Sequence, residues 1–540
     1  MLRQTATARR LLQQASTSTC MCCQALSWRH ASSSAAKRTT RSATLAPAQP
    51  DLTDVLNDPE LVKQNLRERK FPIDDATVDN LRQMELEAIE MRRQVEQLRH
   101  QRNECSKRPR DDIEARQRGS QIKHDLKQIE PKLQQTSTTV RKLAMELPNL
   151  SHPKSPVGSE EMARLVKTIG PVIHNRDTAA TAIRDHLALT APQNLAWTDF
   201  GSSTVTTGSS WPMMTNSGAI LELALVNYAM SFILSTNSGF RPVLTPDVVR
   251  TDIAARCGFK PRTDEAQQTY FLSDGSGTPE GESGLCLTGT AEIPLVAMSA
   301  GQTFDEQELP LKLVALGRAF RAEAGARGQD SRGLYRVHQF SKVEMVVICR
   351  EEDSDAMLEQ LRDFQEKLLG SLGLSLRVLD MPTEELGASA HRKYDIEAWM
   401  PGRGKWGELS SASNCTSYQA RRLSIRYRPS LKPLDRLTKA PLEDLDIPTP
   451  AALEATALYP SQTGSNSNAT AKLKFAHTLN ATAAAVPRLI VALVENGSVV
   501  DKNGRVERVR LPDVLKPHWI GPVDPVIEWV PQEQTLRPLD

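Results

Sequence analysis

Apolar residues recur at alternating steps of four and three from Leu81: Leu81, Met84, Ala88, Met91, Val95 and Leu98. That spacing keeps them on one side of a helix and marks a heptad seam. A polar, basic turn follows from Cys105 to Asp112. A second seam then runs through Ile122, Leu126, Ile129, Leu133, Thr136, Val140, Leu143 and Leu147. Two such seams in succession predict an antiparallel hairpin of helices, each about 45 Å long at the usual rise. Each helix has only a narrow apolar stripe, so the pair is expected to project as an arm. Pro131 lies inside the second helix, where it removes a backbone hydrogen bond and is expected to kink the arm locally.

Pro148, Pro153 and Pro156 end the arm, and beyond Gly158 the pattern is mixed α/β. A helix over Gly218–Ser235 carries Leu221, Leu225, Tyr228 and Phe232 on one face. Phe240 to Val249 is extended, with Pro242 and Pro246, and a second helix spans Asp353 to Leu369. The stretch Phe320–Glu344 reads as two strands joined by a long loop rich in Gly and Arg. Arg321 and Glu323 then share a face of the first strand, and Phe340, Lys342 and Glu344 share one on the second. A planar cation, an aromatic ring and carboxylates on one sheet face suit a nucleotide and a small charged substrate. A solvated hairpin with one packed Phe is the alternative. Residues 429–468 are rich in Pro, Ser and Asn without periodicity and are expected to form a mobile surface insertion. The run AHTLNATAAAVPRLIVALVEN after it reads as a turn leading into an amphipathic helix.

At 540 residues the chain exceeds one ordinary core. Its net charge of +2 assigns any nucleic-acid binding to local patches rather than to the whole surface. One such patch is the expected arm tip, with Lys107, Arg108, Arg110, Arg116, Arg118 and Lys123. The eight cysteines form neither a disulfide framework nor a paired zinc signature. No apolar run is long enough to suggest a bilayer span, so no membrane partner is expected. Residues 1–50 stand apart. They contain no Asp or Glu but carry Arg3, Arg9, Arg10, Arg29, Lys37, Arg38 and Arg41 among many Ser, Thr and Ala. An Arg-rich, Ser-rich, acid-free start is the composition of a mitochondrial transit peptide, which predicts import into the matrix and removal of a disordered leader. The expected organisation is therefore a leader over 1–50, an arm over 51–150 and an α/β domain over 151–540.

Four stretches carry the candidate chemistry: Thr288-Gly289-Thr290-Ala291-Glu292, the Phe320–Glu344 hairpin, Gly407 to Cys415, and Thr478 to Thr482 followed by Arg488. In this order, behind a two-helix arm, and with the runs GLYRVHQFSKVEM, SNCTSYQARRLSIRYR and HTLNAT, the chain resembles the seryl-tRNA synthetase family of class II aminoacyl-tRNA synthetases. The similarity covers essentially all of residues 51–522. It implies an α+β fold: a class II catalytic domain, built as an antiparallel β-sheet flanked by helices, preceded by an antiparallel two-helix coiled-coil arm. It also implies a homodimer through the first motif around Pro246, and ATP, Mg2+, L-serine and tRNA-Ser as cofactors and partners.

The resemblance implies these roles. Arg321 bridges the serine carboxylate and the ATP α-phosphate, a task suited to a guanidinium fork. Arg488 reaches the γ-phosphate, Phe340 stacks on adenine, Glu323 accepts from the adenine amino group and Arg336 holds the triphosphate. Ala322, Val337, His338, Gln339, Leu409 and Ser410 complete the ATP-binding set, and Glu408 and Ser411 coordinate magnesium through hard oxygen ligands. Serine selection falls to Thr290, Ala291, Glu292, Glu344, Asn480 and Thr482, and Arg321, Arg488 and Glu344 carry the catalytic role. The attacking group is already a carboxylate, so catalysis is positioning and charge neutralisation rather than base catalysis. Two other readings compete: a class II synthetase for another small amino acid, and a catalytically inactive paralogue that binds RNA. Retention of Arg321, Glu408 and Arg488 argues against the second.

Overall fold

A computed structural model of the chain describes residues 45–109, 111–171, 184–235, 238–259, 268–272, 284–323, 333–430 and 472–531. The leader up to Thr44, Arg110, the Gly- and Arg-rich loop at 324–332 and most of the 429–468 insertion lie outside these residues.

The arm is two long helices, α1 (Asp75–Lys107) and α2 (Ile113–Glu146). Asp74 and Asp112 cap their N-termini by accepting from the amides of Thr77 and Ala115, which fixes where each begins. The seam is as the spacing predicts: Leu81, Ala88, Val95, Ile122, Leu126, Val140 and Leu147 are buried. The turn is shorter than expected, because Cys105 to Lys107 belong to α1. α2 runs through Pro131 without interruption, with that residue on the exposed side. At the base of the arm two short helices, Thr53–Asn57 and Pro59–Glu68, pack Val55, Val62 and Leu66 against Val78, Leu81, Val140 and Ala144. The fully buried Arg69 then donates to the carbonyls of Asn149, Leu386, Gly387 and Ala390, which ties this base to the α/β body.

The expectation of disorder up to residue 50 is corrected for its last six residues. Leu45 packs on a core cluster of the body, the Gln49 amide donates to the Arg421 carbonyl (3.1 Å), and Arg256 reaches the carbonyl of Ala46 (2.9 Å).

The body is built on an eight-stranded sheet of β1 (Arg164–Ile169), β2 (Arg241–Leu244), β3 (Leu311–Phe320), β4 (Gln339–Cys349), β5 (Leu376–Asp380), β6 (Arg392–Met400), β7 (Lys405–Asn414) and β8 (His477–Ala485). The spatial order is β1-β5-β6-β7-β8-β4-β3-β2, antiparallel except for the edge pair β2–β3. Helices α4 (Asn216–Ser235) and α6 (Ser354–Gly370) share a large core with Val343, Met345 and Val347 on one face. They follow α3, a single turn over His186–Thr190. On the other face α5 (Glu292–Ala297) and α7 (Tyr418–Leu423) pack over Leu313, Ala315, Val346 and Ile348. The last helix, α8 (Val486–Gly497), is buried along most of its length. Strands β9 (Ser498–Val500), β10 (Val506–Pro512) and β11 (Ile527–Val530) form a small separate sheet, so part of the C-terminal tail beyond Gly521 has a structural place.

Two sequence expectations are corrected here. His477 to Ala485 is a central strand, not a turn: β4 and β7 pair with it on both sides. Its Ala and Thr residues fit either face, so they show no alternation to read. Arg321 and Glu323 also lie past the end of β3, and Glu323 takes a left-handed backbone (φ 49°). The Arg321 amide still pairs across the hairpin with the His338 carbonyl (2.9 Å).

Candidate active site

Two bulges decide which side chains meet. In β7 the register with β6 slips so that Ser410 opposes Ile396 and Glu408 opposes Glu397, leaving Leu409 extra. In a regular strand Glu408 and Ser411, three apart, point to opposite faces. The extra residue brings both to the same face. In β8 the register with β4 slips between Thr482 and Ala484, so Thr482 stands opposite Glu344. Phe340, Lys342 and Glu344 of β4 therefore share one face with Thr482 of β8 and with Glu408 and Ser411 of β7. Across β3 they oppose only Ala319, Gly317 and Ala315, which leaves room above them.

The backbone groups released by the bulges are met from the opposite face. Gln365 of α6, itself buried, donates from Nε2 to Ser410 Oγ (2.7 Å) and to the carbonyls of Ser411 and Thr482 (both 2.8 Å).

The resulting cavity is lined by Arg321, Glu323, Arg336, Val337, Phe340, Lys342, Glu408, Leu409, Ser411, Thr482 and Arg488, with Tyr335 beside them. Four of these are cations and two are carboxylates, an excess suited to an anionic ligand. Arg488, on the first turn of α8, donates to the Glu408 carbonyl (2.9 Å) and carboxylate (3.1 Å), and its guanidinium lies 4.6 Å from the centre of the Tyr335 ring. Burial opposes the Arg488 charge, but Glu408 more than offsets this and holds it firmly protonated. The Arg321 guanidinium lies 5.3 Å from the Phe340 ring centre, and burial together with Arg488 lowers its affinity for a proton. Glu323 pairs with Arg336 at 3.4 Å. Glu408 is driven down to about 2: desolvation works against its charge, but Lys393, Arg488 and Arg321 outweigh it.

At the inner end Lys342 pairs with the buried Glu344 (2.6 Å), and Thr290 Oγ1 donates to the same carboxylate (3.2 Å). Thr290 Oγ1 also accepts from the amide of Glu292, the first residue of α5 (3.2 Å), so it joins the start of that helix to the Glu344 carboxylate. Glu292 is buried behind it, where desolvation and then Glu344 push its carboxyl up to about 7 although Gln419 donates to it (2.7 Å). This end offers a hydroxyl, an ammonium and carboxylates within a small volume, the groups needed to select a small polar zwitterion.

Of the residues named from sequence, Ala322, His338, Gln339, Ser410, Ala291 and Asn480 do not line this cavity, and Thr290, Glu292 and Glu344 are buried behind its lining, reached through Lys342. Ser410 faces Gln365, and His338 packs against Trp211 (5.3 Å between ring centres) and bonds Tyr270. Gln339 borders a neighbouring hollow with Trp211, and Asn480 donates weakly to Cys415 Sγ (3.5 Å). Sequence reasoning missed Tyr335, Gln365, Lys393 and Asp395, and assigned Lys342 no role. Lys393 and Asp395 (2.7 Å apart) lie on β6, with Asp395 opposite Ser411. Their signal is the alternation Lys-x-Asp-x-Glu at 393–397, which reads equally well as a solvated strand.

Residues 51–151 match the model of the seryl-tRNA synthetase N-terminal domain, and 276–432 that of the tRNA synthetase class II core domain (G, H, P, S and T). A serine--tRNA ligase of Treponema denticola is 35% identical over 468 residues, 85% of this chain and 96% of the relative. The chain belongs to the seryl-tRNA synthetase family. A mitochondrial serine--tRNA ligase of Schizosaccharomyces pombe is 39% identical over 374 residues, 69% of this chain and 67% of the relative. Among solved structures, seryl-tRNA synthetase from Pyrococcus horikoshii complexed with ATP superposes with a TM-score of 0.69 at 29% identity, covering 87% of this chain and 97% of that one. The class II core of this family and its N-terminal helical region are the two parts described above.

Proposed function

We propose that this chain activates L-serine with ATP and transfers the seryl group to the 3′ end of tRNA-Ser. A serine carboxylate oxygen attacks the α-phosphorus and diphosphate leaves. A ribose hydroxyl of the tRNA then attacks the adenylate carbonyl and AMP leaves. The observation that carries the reading is the position of Arg321. It lines the cavity with Arg488 and Arg336, whose end suits a polyphosphate, and it also interacts electrostatically with Glu344 at the Thr290–Lys342 end, which suits serine. Two anions must approach there, and a guanidinium between them offsets their repulsion. Glu323 and Phe340 offer an acceptor and a ring face for the base.

The donor set fits magnesium. Glu408 is ionised and shares a face with Ser411 through the bulge, and opposite Ser411 on β6 the buried Asp395 Oδ1 has no hydrogen-bond partner among the described residues. Glu408 and Ser411 would hold the ion, which supplies charge neutralisation on phosphate oxygens.

The basic arm tip, with Lys107, Arg108, Arg116 and Arg118, supports backbone contacts to tRNA. Leu244, nearly fully exposed on edge strand β2, supports a dimer interface near Pro246. The acid-free leader supports the mitochondrial matrix as the site of action. The packing of Leu45 to Gln49 on the body supports processing before Leu45, which N-terminal sequencing of the imported protein checks. Serine-dependent ATP–diphosphate exchange, followed by charging of mitochondrial and cytosolic tRNA pools, tests the activity. Absence of exchange with serine, or exchange with another amino acid instead, overturns it.

A further inference from the structure

Outside the cavity, one buried titratable pair joins four segments of the chain. His186 and Glu495 are 3% and 0% exposed. The Glu495 carboxylate takes His186 Nδ1 (2.8 Å) and the His186 amide (3.2 Å) on Oε1, and the Gly402 amide (2.8 Å) on Oε2. Asp185, the third member of this cluster, has an oxygen 3.4 Å from Nδ1. Three such groups suggest a metal, but both Glu495 oxygens already accept from protein donors and the second ring nitrogen is occupied too. His186 Nε2 accepts from the Leu334 amide (3.1 Å). An amide only donates, so Nε2 carries the lone pair, and a neutral ring places its proton on Nδ1, facing Glu495.

The position of that Leu334 contact gives the pair its meaning. Leu334 precedes Tyr335 and Arg336, where the hairpin re-enters the site. The Tyr335 carbonyl accepts from Arg488 Nε (3.3 Å), and the Tyr335 ring lies under the guanidinia of Arg488 (4.6 Å) and Arg403 (3.6 Å). Gly333, at φ 69°, has no room for a side chain: an added Cβ would stand 2.1 Å from His186 Nε2. The Nε2 edge of the imidazole therefore abuts Gly333 and holds the next amide. Glu495 and Arg488 are seven residues apart on α8, two turns along one face.

We propose that His186 is a positioning residue for the nucleotide half of the site. Oriented by Glu495, it holds Leu334 so that Tyr335 and Arg336 meet Arg488 at the polyphosphate end. It touches neither substrate. The serine end, at Lys342 and Glu344, lies farther along β4 and against α5, beyond the Leu334 contact, so the effect falls on ATP. This rests on the activity proposed above, and the wild-type exchange assay separates the two: without wild-type exchange that activity fails, and only with it is the present proposal under test.

Two substitutions divide the ring's contacts. His186→Gln places an amide oxygen near the position of Nε2 and keeps an acceptor for Leu334. His186→Asn reaches only the position of Nδ1, so it retains the Glu495 side and loses Leu334. In diphosphate exchange the Asn variant is expected to raise KM for ATP about tenfold, the scale of one lost buried hydrogen bond. The Gln variant should stay within about threefold of wild type, and KM for serine should hold within about twofold in both. Equal ATP KM values in the two variants, or a parallel rise in serine KM, overturn the proposal. If the Asn variant lacks a cooperative melt, amide exchange of Leu334 in the wild-type protein decides: slow exchange supports the contact and rapid exchange refutes it.

Discussion

At the scale of single residues, charge and burial set the behaviour of the site. Arg321 is held among Arg488, Glu323, Glu408 and Glu344, and in the proposed activity it supplies charge where two anions meet. Arg321→Ala is expected to lower serine-dependent diphosphate exchange by at least about a hundredfold. The melting temperature should move little, because none of the core clusters depends on this side chain. Near-wild-type exchange would refute its role. Glu292 yields a prediction in pH. Its carboxyl titrates near 7 when folded, against 4.5 ordinarily. Between those values the folded chain keeps a proton that the unfolded chain has lost. This contribution to stability is thus complete below pH 4.5 and is lost as pH rises through 7. Its full size is at most about 3 kcal/mol. Glu292→Gln should remove this slope, so denaturant titrations of the two proteins should diverge between pH 4.5 and 7 and run parallel elsewhere. Parallel curves throughout would show that Glu292 is not the group responsible.

Among the elements, the bulges in β7 and β8 depend on α6. Gln365 serves acceptors on both strands, so Gln365→Leu keeps the volume but leaves buried acceptors unpaired. It is expected to cost about 1–3 kcal/mol and to weaken exchange, since Ser411 and Thr482 sit on the supported segments. A change in stability below about 0.5 kcal/mol would refute the support. Bulges also explain what was legible in the sequence. The arm seam was readable because Leu81 to Leu98 and Ile122 to Leu147 repeat over several turns with one partner. The hairpin was readable from Phe340, Lys342 and Glu344, whose alternation survives in β4. The convergence of Glu408 with Ser411 was not, because a spacing of three in a strand becomes one face only when an extra residue intervenes. β8 has the sequence pattern of a turn because Ala and Thr mark neither face. Lys393, Asp395 and Gln365 were missed because their partners are far away in sequence.

For the molecule as a whole, the proposed function divides the work between arm and body. Removing the tip from Lys107 to Arg116 is expected to raise KM for tRNA at least about tenfold while leaving diphosphate exchange unchanged. Equal loss in both assays would count against the arm as the RNA contact. The joint at the arm base is closely tied: Arg69 donates to three body carbonyls and to that of Asn149, and Asn149 itself donates to the carbonyls of Ser389 and Cys415. An arm fixed at one end and stiff along its seam acts as a ruler. Its length, rather than its charge alone, then sets how far from the active site a bound RNA can be gripped. One heptad added to each helix at matching heights would preserve the seam and every basic side chain, yet carry the tip outward by about 10 Å. Such a protein should still bind RNA and still make adenylate, but join the two poorly, and a single-turnover transfer assay would register that mismeasurement. Transfer at the normal rate would mean that the arm flexes at its base.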